Sequence, residues 1–158
     1  MTQPLNTPLE VGIRVVALLT AMYPMRADVA RIVLLDHVVL HTGDFGGMSS
    51  LHPEIPGRVG ELGMKRELVQ DGMVLMGARG LVVREMTTSG IYFGASDDAR
   101  PFLAAMDAEY VLRLRARCAW VVAAFGSLND DAIRDRLGAV LGRWSEEYEP
   151  IEGHTNHG

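Results

Sequence analysis

His37 and His41 stand four residues apart, a spacing that sets two imidazoles on one helical face, as metal-binding histidines often stand. Asp36 precedes them, and Asp44 and His52 follow in a turn-rich stretch. Imidazole and carboxylate together suit zinc or iron, so one reading is a small metal-dependent enzyme built on His37, His41 and His52. The spacing matches no metalloenzyme motif, and HExxH is absent. A helix end and a loop tied together by hydrogen bonds use the same residues without any ligand, and that reading is preferred. No metal and no cofactor is expected. His154 and His157 lie in an acidic, polar C-terminal stretch that cannot preorganise a site.

Cys118 lies among Arg115, Arg117 and Trp120. Neighbouring guanidinium groups lower a thiol's pKa, but no His or Asn stands near it in sequence, and a buried structural thiol is the more usual case. Gly43-Asp44-Phe45-Gly46-Gly47 follows a helix rather than a strand and has no lysine beside it, so it is not a phosphate loop. It allows a sharp turn or a close backbone contact with a partner. No catalytic residue is assigned, and the chain is not expected to be an enzyme.

The elements that must position these residues are mostly helices. Thr7-Pro8-Leu9-Glu10 is a helix start: Thr7 caps, Glu10 can reach back, and Pro8 sits where its missing N–H costs nothing. That helix runs to about Met22, apolar almost all round. Asp28 opens a second, through Ile32 to Leu40, also apolar on several faces. Such helices are buried on several sides or lie in a subunit interface. A loop spans Asp44–Gly57, and long loops often carry binding functions. Arg58–Arg79 reads as a third helix, with close packing or a break expected at Gly72, and Gly80 as its cap. Leu81–Met86 and Ile91–Phe93 form a hairpin about the turn Thr87–Gly90. Ser96, Asp97 and Asp98 offer caps for a helix reaching Gly126, with a break at about Asp107. Asn129 caps the last helix, whose stripe runs from Ile133 through Leu137 and Val140 to Trp144.

Helix, helix, loop, helix, hairpin and then helices is the order of a winged-helix-like domain with a C-terminal helical extension. The fold class expected is therefore α+β, mainly helical. One domain is expected over residues 7–145, followed by a flexible tail over 146–158.

The chain has 158 residues, 48% of them hydrophobic, with a net charge of −5. That is enough for one core and rules out bulk disorder. An acidic balance disfavours a general nucleic-acid coat. A single cysteine excludes a disulfide framework. No apolar run reaches about 18 residues and no signal pattern opens the chain, so a soluble cytoplasmic protein that does not touch the membrane is expected. Winged helices often bind DNA through the third helix and the wing. Between Arg58 and Glu85, five basic side chains face four acidic ones, which leaves that surface almost neutral. Lys65, Arg66, Arg79 and Arg84 are the candidates for nucleic-acid contact, opposed by Glu67 and Asp71. A winged-helix transcription regulator is thus the alternative, and protein binding the better fit.

Several stretches together resemble one family. They are Asn6–Glu10, Leu35-Asp36-His37, His41–Asp44, Ser50–Pro53, Arg58–Leu62, Arg66-Glu67-Leu68 and Arg79–Val82. They are similar to the middle-component subunits, of the second type, of bacterial ABC-three-component systems, which are related to the small accessory subunit of Lamassu-type anti-phage systems. The resemblance spans about residues 5 to 145, and its most specific block is His41–Leu62. It implies a non-catalytic subunit that accompanies a large ABC-type ATPase of the SMC or Rad50 kind and an effector, often a nuclease, with any DNA contact indirect. It assigns no ligand to His41, Asp44 or His52. With Arg58, these are read as a shaped loop in the partner contact surface.

Overall fold

The structure, a computed structural model, describes residues 7–52 and 61–148. Helix α1 (Pro8–Met22) starts as its sequence dictates: the Glu10 amide donates to Thr7 Oγ1 at 3.3 Å, with Pro8 in the first turn. The reciprocal half of the box does not form. Burial raises the Glu10 carboxyl against the opposing charge of Arg14, and its Oε2 is buried without a hydrogen-bond partner among the described residues. Helix α2 (Val29–Leu40) is capped by Asp28, which accepts from the Arg31 amide at 2.9 Å, and every residue from Ile32 to Leu40 is buried.

Helix α3 (Glu61–Ala78) runs unbroken through Gly72. Of the two readings of that glycine, close packing is the correct one. A Cβ on Gly72 would stand 2.8 Å from the Gly12 nitrogen, and one on Gly12 would stand 2.8 Å from Met76 Cε. The pair lets α1 and α3 cross backbone against backbone. Gly80, at φ 74°, closes α3, and the Leu81 amide reaches back to the Met76 carbonyl at 2.9 Å.

Strands β1 (Val82–Thr87) and β2 (Gly90–Ala95) pair antiparallel, from Val82 opposite Ala95 to Thr87 opposite Gly90. β1 is shifted by one residue from the expected Leu81–Met86, and β2 is longer than the expected Ile91–Phe93 because the register carries pairing past Phe93 to Ala95. A lone hairpin is marginal in water. This one packs on α1, α2 and α3, and Ala27, between α1 and α2, exchanges two backbone hydrogen bonds with Phe93 at 2.9 and 2.7 Å.

Helix α4 (Ala99–Ala104) ends before Asp107, as expected, and α5 (Glu109–Phe125) follows. Ser96, rather than Asp97 or Asp98, ties that corner: its hydroxyl donates to the Gly80 carbonyl at 2.6 Å and accepts from the Asp98 amide at 3.3 Å. Asn129 caps α6 (Asp130–Tyr148) through the Ala132 amide at 2.8 Å. Ile133, Leu137 and Val140 are buried as expected. Helix α6 reaches Tyr148, three residues into the expected tail, and residues 149–158 lie outside the described ones.

The result is a mainly helical α+β fold with α1 at its centre, against α2, α3, α4, α5 and β2. Val11, Val15, Leu18 and Leu19 of α1 join Ile32, Leu35 and Val38 of α2 in one core. The all-round apolar character of α1 and α2 is thus satisfied within the chain, and no partner is needed to explain it.

Candidate functional site: a buried ion cluster, a clamped loop and an open groove

Two apolar helices each carry one charge inward. Arg14 of α1 and Asp36 of α2 are each 1% exposed and form a two-pronged ion pair, Nε to Oδ1 at 3.1 Å and Nη2 to Oδ2 at 3.2 Å. Lys65 of α3, with its side chain 5% exposed, brings Nζ to 3.3 Å of Asp36 Oδ2. Burial by itself raises the Asp36 carboxyl; Arg14 and Lys65 outweigh it and hold the group well below the ordinary carboxylate range. Burial lowers Arg14 and Asp36 more than restores it. Tyr110 of α5 stands beside Arg14 with its hydroxyl pushed upward by burial. One carboxylate therefore joins three helices through two cations in a low-dielectric interior, where a missing partner is costly.

The loop after α2 is clamped onto this frame. A 3₁₀ turn covers Thr42–Phe45, and the Thr42 hydroxyl donates to the Met48 carbonyl at 2.7 Å. The Leu51 and His52 amides return to the Leu40 carbonyl at 3.1 and 3.3 Å. Arg117, buried on α5, donates from Nε and Nη2 to the Ser49 carbonyl at 2.9 and 2.7 Å. Burial, with Arg113 beside it, lowers that guanidinium's pKa. Gly47 rests on Trp120, since a Cβ there would meet the indole at 2.7 Å. The glycine-rich run thus makes the sharp turn expected of it, and its close backbone contact is with this chain's own α5 rather than with a partner.

The sequence candidates divide accordingly. His41 is fully buried, its ring 4.7 Å from that of His37, so it supports the loop from beneath and cannot touch a partner directly. His52 Nε2 lies 3.4 Å from the Tyr110 hydroxyl, and Asp44 is half-buried in the 3₁₀ turn. Arg58 lies outside the described residues. Among the described residues no group of three or more His, Cys, Asp or Glu is placed to hold a metal ion. Cys118 is fully buried, and burial, aided by Asp36, pushes its thiol upward, away from the reactive thiolate. Lys65 is the correction among the nucleic-acid candidates. It sits on the inner face of α3 against Asp36, and an ammonium so enclosed offers nothing to a phosphate.

Arg66, Arg79 and Arg84 are exposed. Arg66 and Arg84 line an open groove of about 940 Å³ between α3, the hairpin and the first turn of α2. Arg14 is the residue that sequence reasoning missed. Its signal was a charge of each sign in the middle of two helices apolar on almost every face, where burial favours their meeting.

The geometry defines a mainly helical α+β protein whose interior ionisable groups are engaged in joining helices, with an open apolar groove on one face. The chain belongs to the family of the ABC-three component (ABC-3C) system Middle Component 2, whose model matches residues 4–147. It is by that membership a middle component of a multi-protein system. No curated protein and no solved structure matches it. No helix among the described residues is long and apolar enough to cross a membrane.

Proposed function

We propose that this chain is a non-catalytic accessory subunit that docks on an SMC- or Rad50-like ATPase and on an effector, often a nuclease, in a cytoplasmic anti-phage complex of the Lamassu-like kind. The observation that carries this reading is the family match over nearly the whole chain. The site agrees with it. Arg14, Asp36, Lys65, His41 and Cys118, the groups best suited to chemistry, are buried, and the first three pair with one another.

The rival is a winged-helix regulator, and one observation favours that fold: the Ala27–Phe93 bridge adds a short third pairing to the hairpin beside α3. The charges favour protein binding. With Lys65 withdrawn inside, Arg66 on α3, Arg79 just after it and Arg84 on the hairpin are balanced by the exposed acids Glu67, Asp71 and Glu85. DNA affinity tracks the number of cations that reach phosphates.

Co-expression with an SMC- or Rad50-like ATPase and an effector of the same system tests the reading. The expected result is one stable complex on size exclusion. A free chain that ignores that ATPase and gives a salt-sensitive, sequence-specific shift of duplex DNA would reject it.

A further inference from the structure

The groove between α3 and the hairpin has a chemistry that selects its occupant. Its floor is apolar: Met73 and Val74 of α3, Val82 of β1, and Ile91 and Phe93 of β2. Val74 is 74% exposed and Ile91 42%, and they share one apolar floor that none of the described residues covers. Gly77 leaves the floor open, since a Cβ there would meet only the Val82 carbonyl oxygen, at 3.9 Å. Gln70, Met73, Val74 and Gly77 present the i, i+3, i+4, i+7 seam against which a second helix packs.

Charge fixes the rest. Arg66 and Arg84 line the groove, and neither guanidinium has a hydrogen bond or ion pair among the described residues. Other arginines of this chain do: Arg26 pairs with Glu85, Arg31 with Asp130, and Arg14 with Asp36. The one carboxylate in the lining, Asp28, already caps α2. Glu67 and Asp71 are exposed on α3 but lie outside the lining.

We propose that this groove takes an amphipathic helix of the ATPase subunit, its apolar stripe on Val74 and Ile91 and its carboxylates on Arg66 and Arg84. The inference rests on the docking proposed above and names its surface. A nucleic-acid backbone fits less well: it has no apolar stripe for the floor, and Glu67 and Asp71 would repel it.

The test is retention of the co-expressed ATPase by the tagged full chain, comparing wild type with V74D, I91D and the pair R66E/R84E. All four positions are exposed, and thermal melts confirm folding. V74D or I91D is expected to weaken retention about tenfold or more, as loss of a central apolar anchor does. R66E/R84E is expected to weaken it most at low salt. If wild type holds the ATPase and every variant holds it equally, the groove is the wrong surface while the accessory role stands. If wild type does not hold the ATPase at all, the accessory role itself falls, and this inference with it. If R66E/R84E abolishes the shift of a short DNA duplex and leaves the ATPase bound, the face is a nucleic-acid surface and the proposal is overturned.

Discussion

The inner and outer faces of α3 use the same residue types to opposite ends. Lys65 points inward and closes an ion cluster with Asp36 and Arg14. Arg66, the next residue, points out to line an open groove. Inside, each charge has its counter-charge and little water reaches it. Outside, two guanidiniums flank apolar side chains without a counter-charge among the described residues. The contrast teaches that a cation on a candidate reading helix means little until its face is known. It also predicts that the two regions respond oppositely to mutation, the inner through stability and the outer through binding.

The largest effect is expected at Asp36. D36A leaves Arg14 and Lys65 buried without their carboxylate, a change that costs about 3–5 kcal/mol. For a chain of this size that lowers Tm by roughly 6–20 °C. Replacing all three members together, as R14M/D36L/K65M, should recover most of the loss, because apolar side chains of similar volume need no partner. A triple variant as unstable as D36A would show that the cluster acts otherwise than by charge pairing.

Acid should reveal the same pairing. The folded-state pKa of Asp36 is depressed, so its contribution is complete above its unfolded value of about 3.9 and is lost as pH falls through the lower folded value. Glu10, whose carboxyl burial raises, works the other way: its contribution is present at low pH and lost as pH rises through the folded value. Wild type should therefore lose urea resistance steeply below about pH 4, and D36N should lose less. Parallel curves for the two would remove Asp36 from the account.

Two glycines extend the comparison to the backbone. At Gly72, an added Cβ meets the Gly12 nitrogen, an atom that cannot rotate away. Overpacking of about 1–3 kcal/mol outweighs the roughly 1 kcal/mol that alanine gains in a helix. G72A should therefore be a net loss of about 1 kcal/mol by urea unfolding. At Gly138 on α6 nothing lies within 4 Å, so G138A should gain up to about 1 kcal/mol.

Much of the fold was legible because its signals are local. Thr7, Asp28, Asn129 and Gly80 act where capping chemistry puts them, and the change of period after Leu81 marked the hairpin. What was illegible depended on facing. The sequence shows that Lys65 and Arg66 are adjacent, but only the α1–α3 crossing decides which of them turns inward. Likewise, the spacing of His37 and His41 correctly puts them side by side, yet it says nothing of the burial that closes them to any partner. The groove was hidden for the same reason, since Val74 reads as one more apolar residue until the hairpin is seen to leave it uncovered. Arg14 and Asp36 were legible in principle: Glu10 and Arg31 lie in the first turns of their helices, so the two mid-helix charges of opposite sign have few alternatives to each other.

The smallest stability effect is expected on the outer face. Arg66 and Arg84 are exposed and make no hydrogen bond or ion pair within the described chain, so reversing them removes no contact. Substitutions of that kind usually stay within about 0.5 kcal/mol. R66E is expected near zero, because Glu67 and Asp71 already put negative charge on α3 and water screens the addition. R84E places a second acid beside Glu85, whose pairing with Arg26 at 2.6 Å persists, so it too should melt with wild type. The measurement is the urea midpoint of each variant beside its ATPase retention. A midpoint that falls as far as that of D36A would mean that these arginines hold the fold together, and the division between an inner face for stability and an outer face for binding would fail.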